Sequence, residues 1–337
     1  MSSLLRDIYR SSLVQDIDIP NALFRSLLGN TTAVFLYHQV SESPSPFYSQ
    51  YDLNVLPWVF ERQIDIIGEL FHVLTPAEFL EGKFPRPAAL ITFDDGASGY
   101  FHKAVPALRE RGVPSINFLN FGWLEGELFW PALVDWLERN HPTFRERLSR
   151  HRQGHSMRDC SAPDFLFATP ELVETCFKTL GGEAERVMEA VRDYAGPAVA
   201  REDLLAVAGE TGVFFGNHLY SHYNARMLPN EQLMEEYRRN QARLVQLPHS
   251  LDWLGYPFGQ AGSCYTEYSH SILKAMGAER LFTSNGGLNR GSRGAWLWDR
   301  LVVPPTIETA AAFKWWMLRT RFGQRFTSYQ RPKRNAE

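Results

Sequence analysis

Short apolar runs recur along this chain, each closed by a turn residue and separated from the next by helical periodicity. That alternation restricts the fold more than any other feature. The runs fall at 33–38, 88–93, 115–119, 213–217, 251–256, 280–283 and 300–303. Between them, 58–70 puts Phe60, Ile64 and Ile67 on one side of a helix, 105–111 is a helix stopped by Gly112, and 230–247 is a long helical stretch. Strands that alternate with helices call for parallel βαβ units, here closing into a barrel. Ligands of such sheets gather at the carboxyl ends of the strands. At 337 residues, 44% hydrophobic and 22% charged, the chain can bury a large core. A formal charge of −3 argues against a nucleic-acid partner.

Strand ends are therefore where chemistry is expected. The run Leu90-Ile91-Thr92-Phe93 is followed directly by Asp94, Asp95 and Gly96. Side chains alternate along a strand, so adjacent carboxylates point different ways and can divide the work, one holding a metal ion and one taking a proton. The run at 213–217 leads into Gly216-Asn217-His218-Leu219-Tyr220-Ser221-His222. Histidines at this spacing share one helix face or converge from a tight loop, and imidazole suits zinc, iron, cobalt or nickel. Joined to the carboxylates, they make a two-histidine, one-carboxylate site with open positions. A further run, Leu254-Gly255-Tyr256, ends in the turn Pro257-Phe258-Gly259.

Taken in order, Thr92-Phe93-Asp94-Asp95-Gly96, His218-x-x-x-His222 and Tyr256-Pro257-Phe258-Gly259 resemble the motifs of the polysaccharide deacetylases, carbohydrate esterase family 4 with its NodB homology domain. The segment from Val34 to Val40 is similar to the Tyr-His-Arg-Val segment near the start of one branch, and the resemblance runs over about residues 33–306. It implies an α/β fold, an irregular (β/α)7-type barrel, and hydrolysis of an N-acetyl group on an amino sugar of a glycan or glycan precursor. It also implies one divalent metal ion, zinc first, with cobalt, nickel or iron as alternatives, held by Asp95, His218 and His222. Asp94 is then the general base, the Phe258 amide an oxyanion donor, Pro257 the residue that sets the turn, and Tyr256 part of the pocket wall.

The chain departs from the family's pattern in three places. Many members carry a general acid in a Leu-x-x-His setting near the C-terminal end, but Trp298-Asp299-Arg300-Leu301-Val302-Val303 has no histidine. Relatives with an N-terminal Tyr-His segment point instead to His38, for which a buried core histidine is the alternative. Asp299 and Arg300 are expected as a pair that orients Asp94 or contacts substrate, or as a structural ion pair. Leu219 stands where the family commonly has Ser or Thr. Residues 121–200 hold the first two motifs unusually far apart, with helices expected at 130–152 and 170–194. This helical insertion either caps the site or decorates the barrel's side.

The remaining expectations concern organisation and surroundings. Residues 1–30 read as an amphipathic helical lead-in, with Leu4, Leu5, Ile8, Leu13, Leu23 and Leu27 as its apolar positions, 31–310 as the catalytic barrel, and 311–337 as a C-terminal helix with a basic tail. The aromatic and basic residues from Phe313 to Arg334 either make a peripheral membrane contact or pack a final helix on the barrel. Trp123, Trp130, Trp253 and Trp298 are candidates for stacking on sugar rings or for plain packing. No signal core or spanning run is visible, and Cys160, Cys176 and Cys264 lack metal-type spacing, so a cytoplasmic location is expected. Two other functions compete: a same-fold hydrolase of a non-sugar amide or formyl group, and a catalytically degenerate carbohydrate-binding scaffold.

Overall fold

A computed structural model describes residues 17–141, 144–146, 164–290 and 295–323. Its centre is a nine-stranded, all-parallel sheet nearly closed into a barrel. The strands are β1 (Thr32–Tyr37), β4 (His72–Val73), β5 (Ala88–Asp95), β6 (Ser115–Leu119), β7 (Val213–Asn217), β8 (Ser250–Gly255), β9 (Arg280–Thr283), β10 (Leu297–Asp299) and β11 (Leu301–Val302), while β2 (Gln39–Val40) and β3 (Asn54–Val55) form a separate pair. Neighbours run in the order β10-β9-β8-β7-β6-β5-β1-β11, with β4 added beside β5. The register aligns Asp95 with Leu119, Leu119 with Asn217 and Asn217 with Leu254, so the three motif-bearing strands end at one level.

Strand alternation sorts the apolar residues into two layers. Val34, Leu90, Ile116, Phe118, Trp253 and Phe282 fill the barrel, while Phe35, Ile91, Phe93 and Phe215 face outward under the helices. The helix Pro57–Leu70 starts on a proline whose missing N–H costs nothing at that position, and it buries Phe60, Ile64 and Ile67 as expected. Gly216 sits over Phe118, where a Cβ would lie 2.4 Å from Cδ1 of that ring. Only glycine lets this wide interior residue stand so close to the metal-motif strand.

Several sequence expectations are corrected. The strand expected at 300–303 is present as Leu301–Val302, which pairs with β1, but a further strand just before it, Leu297–Asp299, pairs with β9 on the opposite edge and was not expected. The helix expected over 170–194 is interrupted at Gly181–Glu183, where Gly181 takes a φ of 53°. The one expected over 130–152 ends at Asn140, two residues before Pro142. In the lead-in, the helix Asn21–Leu28 buries Phe24 and Leu28 and leaves Leu23 and Leu27 exposed, one position out of register with the expected face. Leu4, Leu5, Ile8, Leu13, Cys160 and the tail beyond residue 323 lie outside the described residues. The final helix, Ala310–Gly323, packs Phe313 against Phe35 and Phe71, sets Trp316 beside Phe35, and has the Trp315 ring N–H donating to the Ile17 carbonyl. No helix among the described residues is long and apolar enough to cross a membrane.

Candidate metal and catalytic site

At the carboxyl ends of β5 and β7 the side chains of Asp95, His218 and His222 turn toward one another, all three buried. The histidines come from a loop and not from a helix, with Leu219 and His222 both in the left-handed region at φ 58° and 61°. Asp95 is left-handed too, at φ 73°. Such backbone is costly for residues with side chains, and it persists here because surrounding bonds over-determine it. Asn217 accepts from the Leu219 amide at 2.9 Å, and its own position is fixed by Asn240, which also donates to the Leu119 carbonyl at 2.7 Å. Glu236 accepts from the Ser221 amide at 2.6 Å. These bonds hold the loop without the hydroxyl that Leu219 lacks. Neither Asn240 nor Glu236 was marked by any motif; the long helix that carries them, Asn230–Leu244, gave only an amphipathic pattern.

The donor set suits a metal ion. His218 Nδ1 faces the Gly255 carbonyl at 2.7 Å, so that nitrogen donates to the backbone and Nε2 is the one turned toward the other ligand atoms. Asp95 Oδ1 accepts no well-formed hydrogen bond, although it is buried, and Nε2 of His222 and of His218 lie 3.1 and 3.5 Å from it. A tetrahedral ion with ligands at about 2.0–2.2 Å separates those ligands by about 3.3–3.6 Å, close to what is seen. Tyr48 donates to the second Asp95 oxygen at 3.0 Å and so aims the carboxylate. Burial pulls the Asp95 carboxyl upward, but the two imidazoles outweigh it and leave the group well below the usual range. Two nitrogens and one anionic oxygen, converging and otherwise unbonded, fit a borderline cation such as zinc.

Asp94 points the other way, into the barrel, as alternation requires. Arg300 grips it with two bonds, Nη1 to Oδ1 at 2.6 Å and Nη2 to Oδ2 at 2.9 Å. The guanidinium also donates from Nε to the Thr283 carbonyl at 3.2 Å and lies 5.3 Å from the Phe118 ring centre. Gly255 leaves room for it: a Cβ there would meet Phe118 at 2.9 Å and Arg300 Nη1 at 3.2 Å. Asp94, Asp95, His218, His222 and His38 all line one cavity of about 880 Å³. Burial holds the His38 imidazole below its ordinary pKa, against the pull of the Asp95 and Asp94 carboxylates, so the ring is neutral at neutral pH.

A family model described as polysaccharide deacetylase matches residues 81–281. The chain belongs to the polysaccharide deacetylase family. Members of that family are hydrolases acting on N-acetyl amide bonds, and this deacetylase shares their barrel. Among solved structures it resembles the Streptococcus pyogenes deacetylase PplD in complex with acetate, at 14% identity and a TM-score of 0.56, over 86% of this chain and 97% of that one. IcaB from Ammonifex degensii is similar at 18% identity and a TM-score of 0.55, over 86% and 98% of the two chains. A de-N-acetylase from Aggregatibacter actinomycetemcomitans follows at 12% identity and a TM-score of 0.52, over 85% and 99%. Curated protein sequences give no match.

The deacetylase does not bring every expected residue to its cavity. Phe258 lines it, in a left-handed turn at φ 61° whose carbonyl accepts from Ser284. Tyr256, expected on the pocket wall, is buried away from it with its hydroxyl 2.8 Å from His270 Nδ1. Pro257 precedes Phe258, and its carbonyl accepts from the Gly259 amide at 2.7 Å. Asp299 does not pair with the Arg300 guanidinium; it accepts from Thr283 Oγ1, the Asn285 amide and the Arg300 amide, which makes it a brace for the backbone. Trp253 and Trp298 lie inside the barrel and Trp130 stacks on Tyr223, so none of these, nor Trp123, lines the cavity. The insertion reaches the site directly: Phe129, Phe165, Leu166 and Phe167 form one of its walls.

Proposed function

We propose that this protein is a metal-dependent N-deacetylase of an amino sugar, in a glycan or in a precursor of one. The observation that carries the reading is the meeting of three unpaired donor atoms, from Asp95, His218 and His222, beside an Arg300-clamped Asp94 on the floor of a single cavity. Asp95, His218 and His222 would hold one divalent ion, zinc by preference. When bound, such an ion lowers the pKa of water and polarises the scissile carbonyl. Asp94 takes the proton of the attacking water, its lone pairs aimed by the two Arg300 bonds. A carboxylate fixed from one side by a guanidinium can still accept on its remaining lone pairs. The Phe258 amide donates to the developing oxyanion. His38 then protonates the leaving nitrogen. Burial holds its ring below the ordinary imidazole range, so it must first receive a proton, and the one that Asp94 has taken from the water supplies it. The proton taken from the water ends on the nitrogen, so acetic acid and free amine form, and the acid's own proton then passes to the amine or to solvent.

Retention of a positioned base beside the ligand triad argues against a degenerate scaffold, which needs neither. The test is elemental analysis of the wild type and of His218→Ala, followed by acetate release from N-acetylated amino sugars. About one divalent ion per chain, lost in the variant together with acetate release, is the expected result. No ion after reconstitution with zinc, cobalt or nickel would sink the metal-dependent reading. A loaded protein that releases formate or another acid, and no acetate, would move the assignment to a different amide.

A further inference from the structure

The wall that the insertion builds is made of carbon. Four phenyl rings form a closed circuit with the ligand His222: Phe129 lies 5.3 Å from it, Phe47 5.6 Å from Phe129, Phe165 6.0 Å from Phe47, Phe258 5.7 Å from Phe165, and Phe258 returns to His222 at 4.8 Å. Tyr51 extends the circuit against Phe47 and Phe165, and its hydroxyl is spent on Asp135 at 2.5 Å. Among the described residues, outside the reacting groups and Tyr51, only Arg226, Gln260, Ser263 and Ser284 bring side-chain hydrogen-bonding atoms to the cavity. All four lie around the turn after β8 that carries Phe258, away from the insertion, and the Ser284 hydroxyl is already given to the Phe258 carbonyl. The Gln260 oxygen likewise accepts from Cys264.

The cavity thus has a continuous aromatic wall and only a few polar groups, gathered at the Phe258 end of it. A pyranose fits that end, where its hydroxyls find partners. An extended glycan in the same space would bury hydroxyls against phenyl rings, and each unpaired polar group carries a desolvation cost. We infer that the substrate is an amphiphilic N-acylated amino sugar, bearing an alkyl or aryl group next to the scissile amide, and that Phe47, Phe129 and Phe165 select for that group. This rests on the deacetylase reading above and narrows it. Phe129 and Phe165 come from the insertion and Phe47 from the 41–52 segment, so the selecting surface is supplied by the parts of the chain that lie outside the strand-end motifs.

Two ligand series separate the sources of the apolar group. In one, the aglycone of an N-acetylglucosamine glycoside grows from methyl to hexyl; in the other, the methyl glycoside is kept and the N-acyl group grows from acetyl to hexanoyl. Dissociation constants are read by calorimetry on the full chain, so binding is measured whether or not turnover occurs. Affinity rising about two- to fourfold per methylene over the first few carbons in either series is expected, and the series that rises names the source. No dependence on length in both series overturns the inference. So does a tetrameric N-acetylglucosamine oligosaccharide that binds more tightly than every member of both. Phe165→Ala and Phe47→Ala should each flatten the length dependence, and an unchanged slope in a natively folded variant removes that ring from the wall. If either variant fails to fold, the wild-type series still decides the matter. Acetate release from the methyl glycoside is scored separately: its absence, with the length dependence intact, counts against the deacetylase reading and not against the amphiphilic occupant.

Discussion

Replacing Arg300 by methionine keeps much of the side chain's volume and removes the charge that faces Asp94. The Asp94 side chain is 4% exposed and that of Arg300 1%, so solvent compensates little for the loss of either partner. Both hydrogen bonds of the pair, at 2.6 and 2.9 Å, are lost together. Removing one partner of a buried pair costs about 3–5 kcal/mol, because the other is left as an uncompensated charge, and that is a large share of the roughly 5–15 kcal/mol by which domains are stable. With a urea dependence of about 3 kcal/mol per molar, the unfolding midpoint should fall by about 1–1.7 M. The companion variant Asp94→Leu/Arg300→Met removes both charges and fills the same space with apolar groups. It should unfold well above the point given by adding the two single losses, and above Arg300→Met alone. An ion on the neighbouring triad supplies Asp94 with a second positive neighbour, so the penalty of Arg300→Met should be smaller in metal-loaded protein than after chelation. Urea titrations followed by tryptophan fluorescence read all of these. A midpoint for Arg300→Met within experimental error of wild type, or strict additivity in the double variant, would refute the claim that the clamp holds a buried, ionised base.

Other changes test separate parts of the site. His38→Ala should lower turnover by roughly 10²–10⁴-fold while leaving metal content unchanged, and near-normal turnover would remove His38 from the proton path. Gly216→Ala drives a methyl to 2.4 Å from Phe118 and 3.1 Å from the Trp253 carbonyl, so thermal unfolding should show a loss of about 1–3 kcal/mol; an unshifted melting curve would mean the barrel gives way freely there. Burial raises the Glu236 carboxyl above its ordinary pKa, against the Ser221 amide that lowers it. A group raised in the folded state adds stability below its unfolded pKa and loses that contribution as pH climbs through the folded value. Relative to Glu236→Gln, the wild type should therefore gain stability on acidification from pH 7 toward pH 4.5, and parallel stability profiles for the two proteins would show the carboxyl to be untitrated over that window.

The periodic parts of the fold were legible because their residues obey local rules. The strands at 115–119 and 213–217 end where the apolar runs end, and β5 runs two residues past the expected 93, carrying its ladder through Asp94 and Asp95. Adjacent carboxylates pointing to opposite faces follow from strand alternation alone, and so does their division between the barrel interior and the histidine loop. What local rules could not give is anything decided by partners distant in sequence. Arg300 reads as half of an Asp-Arg pair because Asp299 adjoins it, yet its guanidinium goes to Asp94, 206 residues away. Tyr256 sits in a motif but follows the barrel wall into a hydrogen bond with His270, since a side chain one residue beyond the strand end turns with the backbone and not with the motif. Leu23 and Leu27 fit a helical stripe, but Phe24 and Leu28 bury more completely against Phe71 and its neighbours, and packing chose the larger aromatic face. Asn240 and Glu236 carry no signature at all: a polar residue on the inner side of an amphipathic helix is visible only once the loop it holds is in place.

Barrel closure and orientation of the Asp94 carboxylate are coupled in this chain. The two edges of the sheet, β10 and β11, are consecutive in sequence with only Arg300 between them. The backbone crosses from one edge to the other at that residue: its amide donates to the Thr283 carbonyl of β9, and the next two residues align with Phe35 and Leu36 of β1. Asn289 staples the same gap, its amide nitrogen donating to the Asp299 carbonyl at 2.7 Å and, at 3.3 Å, to the Thr32 carbonyl, while its side-chain oxygen accepts from the Asp299 amide. With its neighbours committed to opposite edges, the Arg300 side chain runs inward, and the space left by Gly255 leads it to Asp94. His38 follows the first strand and Arg300 precedes the last, so these two cavity-side groups come from the two ends of the barrel, while Asp95, His218 and His222 come from its middle. Asp95, His218 and His222 are held together by β5 and β7, by the helix Asn230–Leu244 and by the Gly255 carbonyl of β8, none of which involves the closing edge. The Arg300 clamp on Asp94 forms only when the far end has docked against β1, so that carboxylate is aimed only in the closed fold.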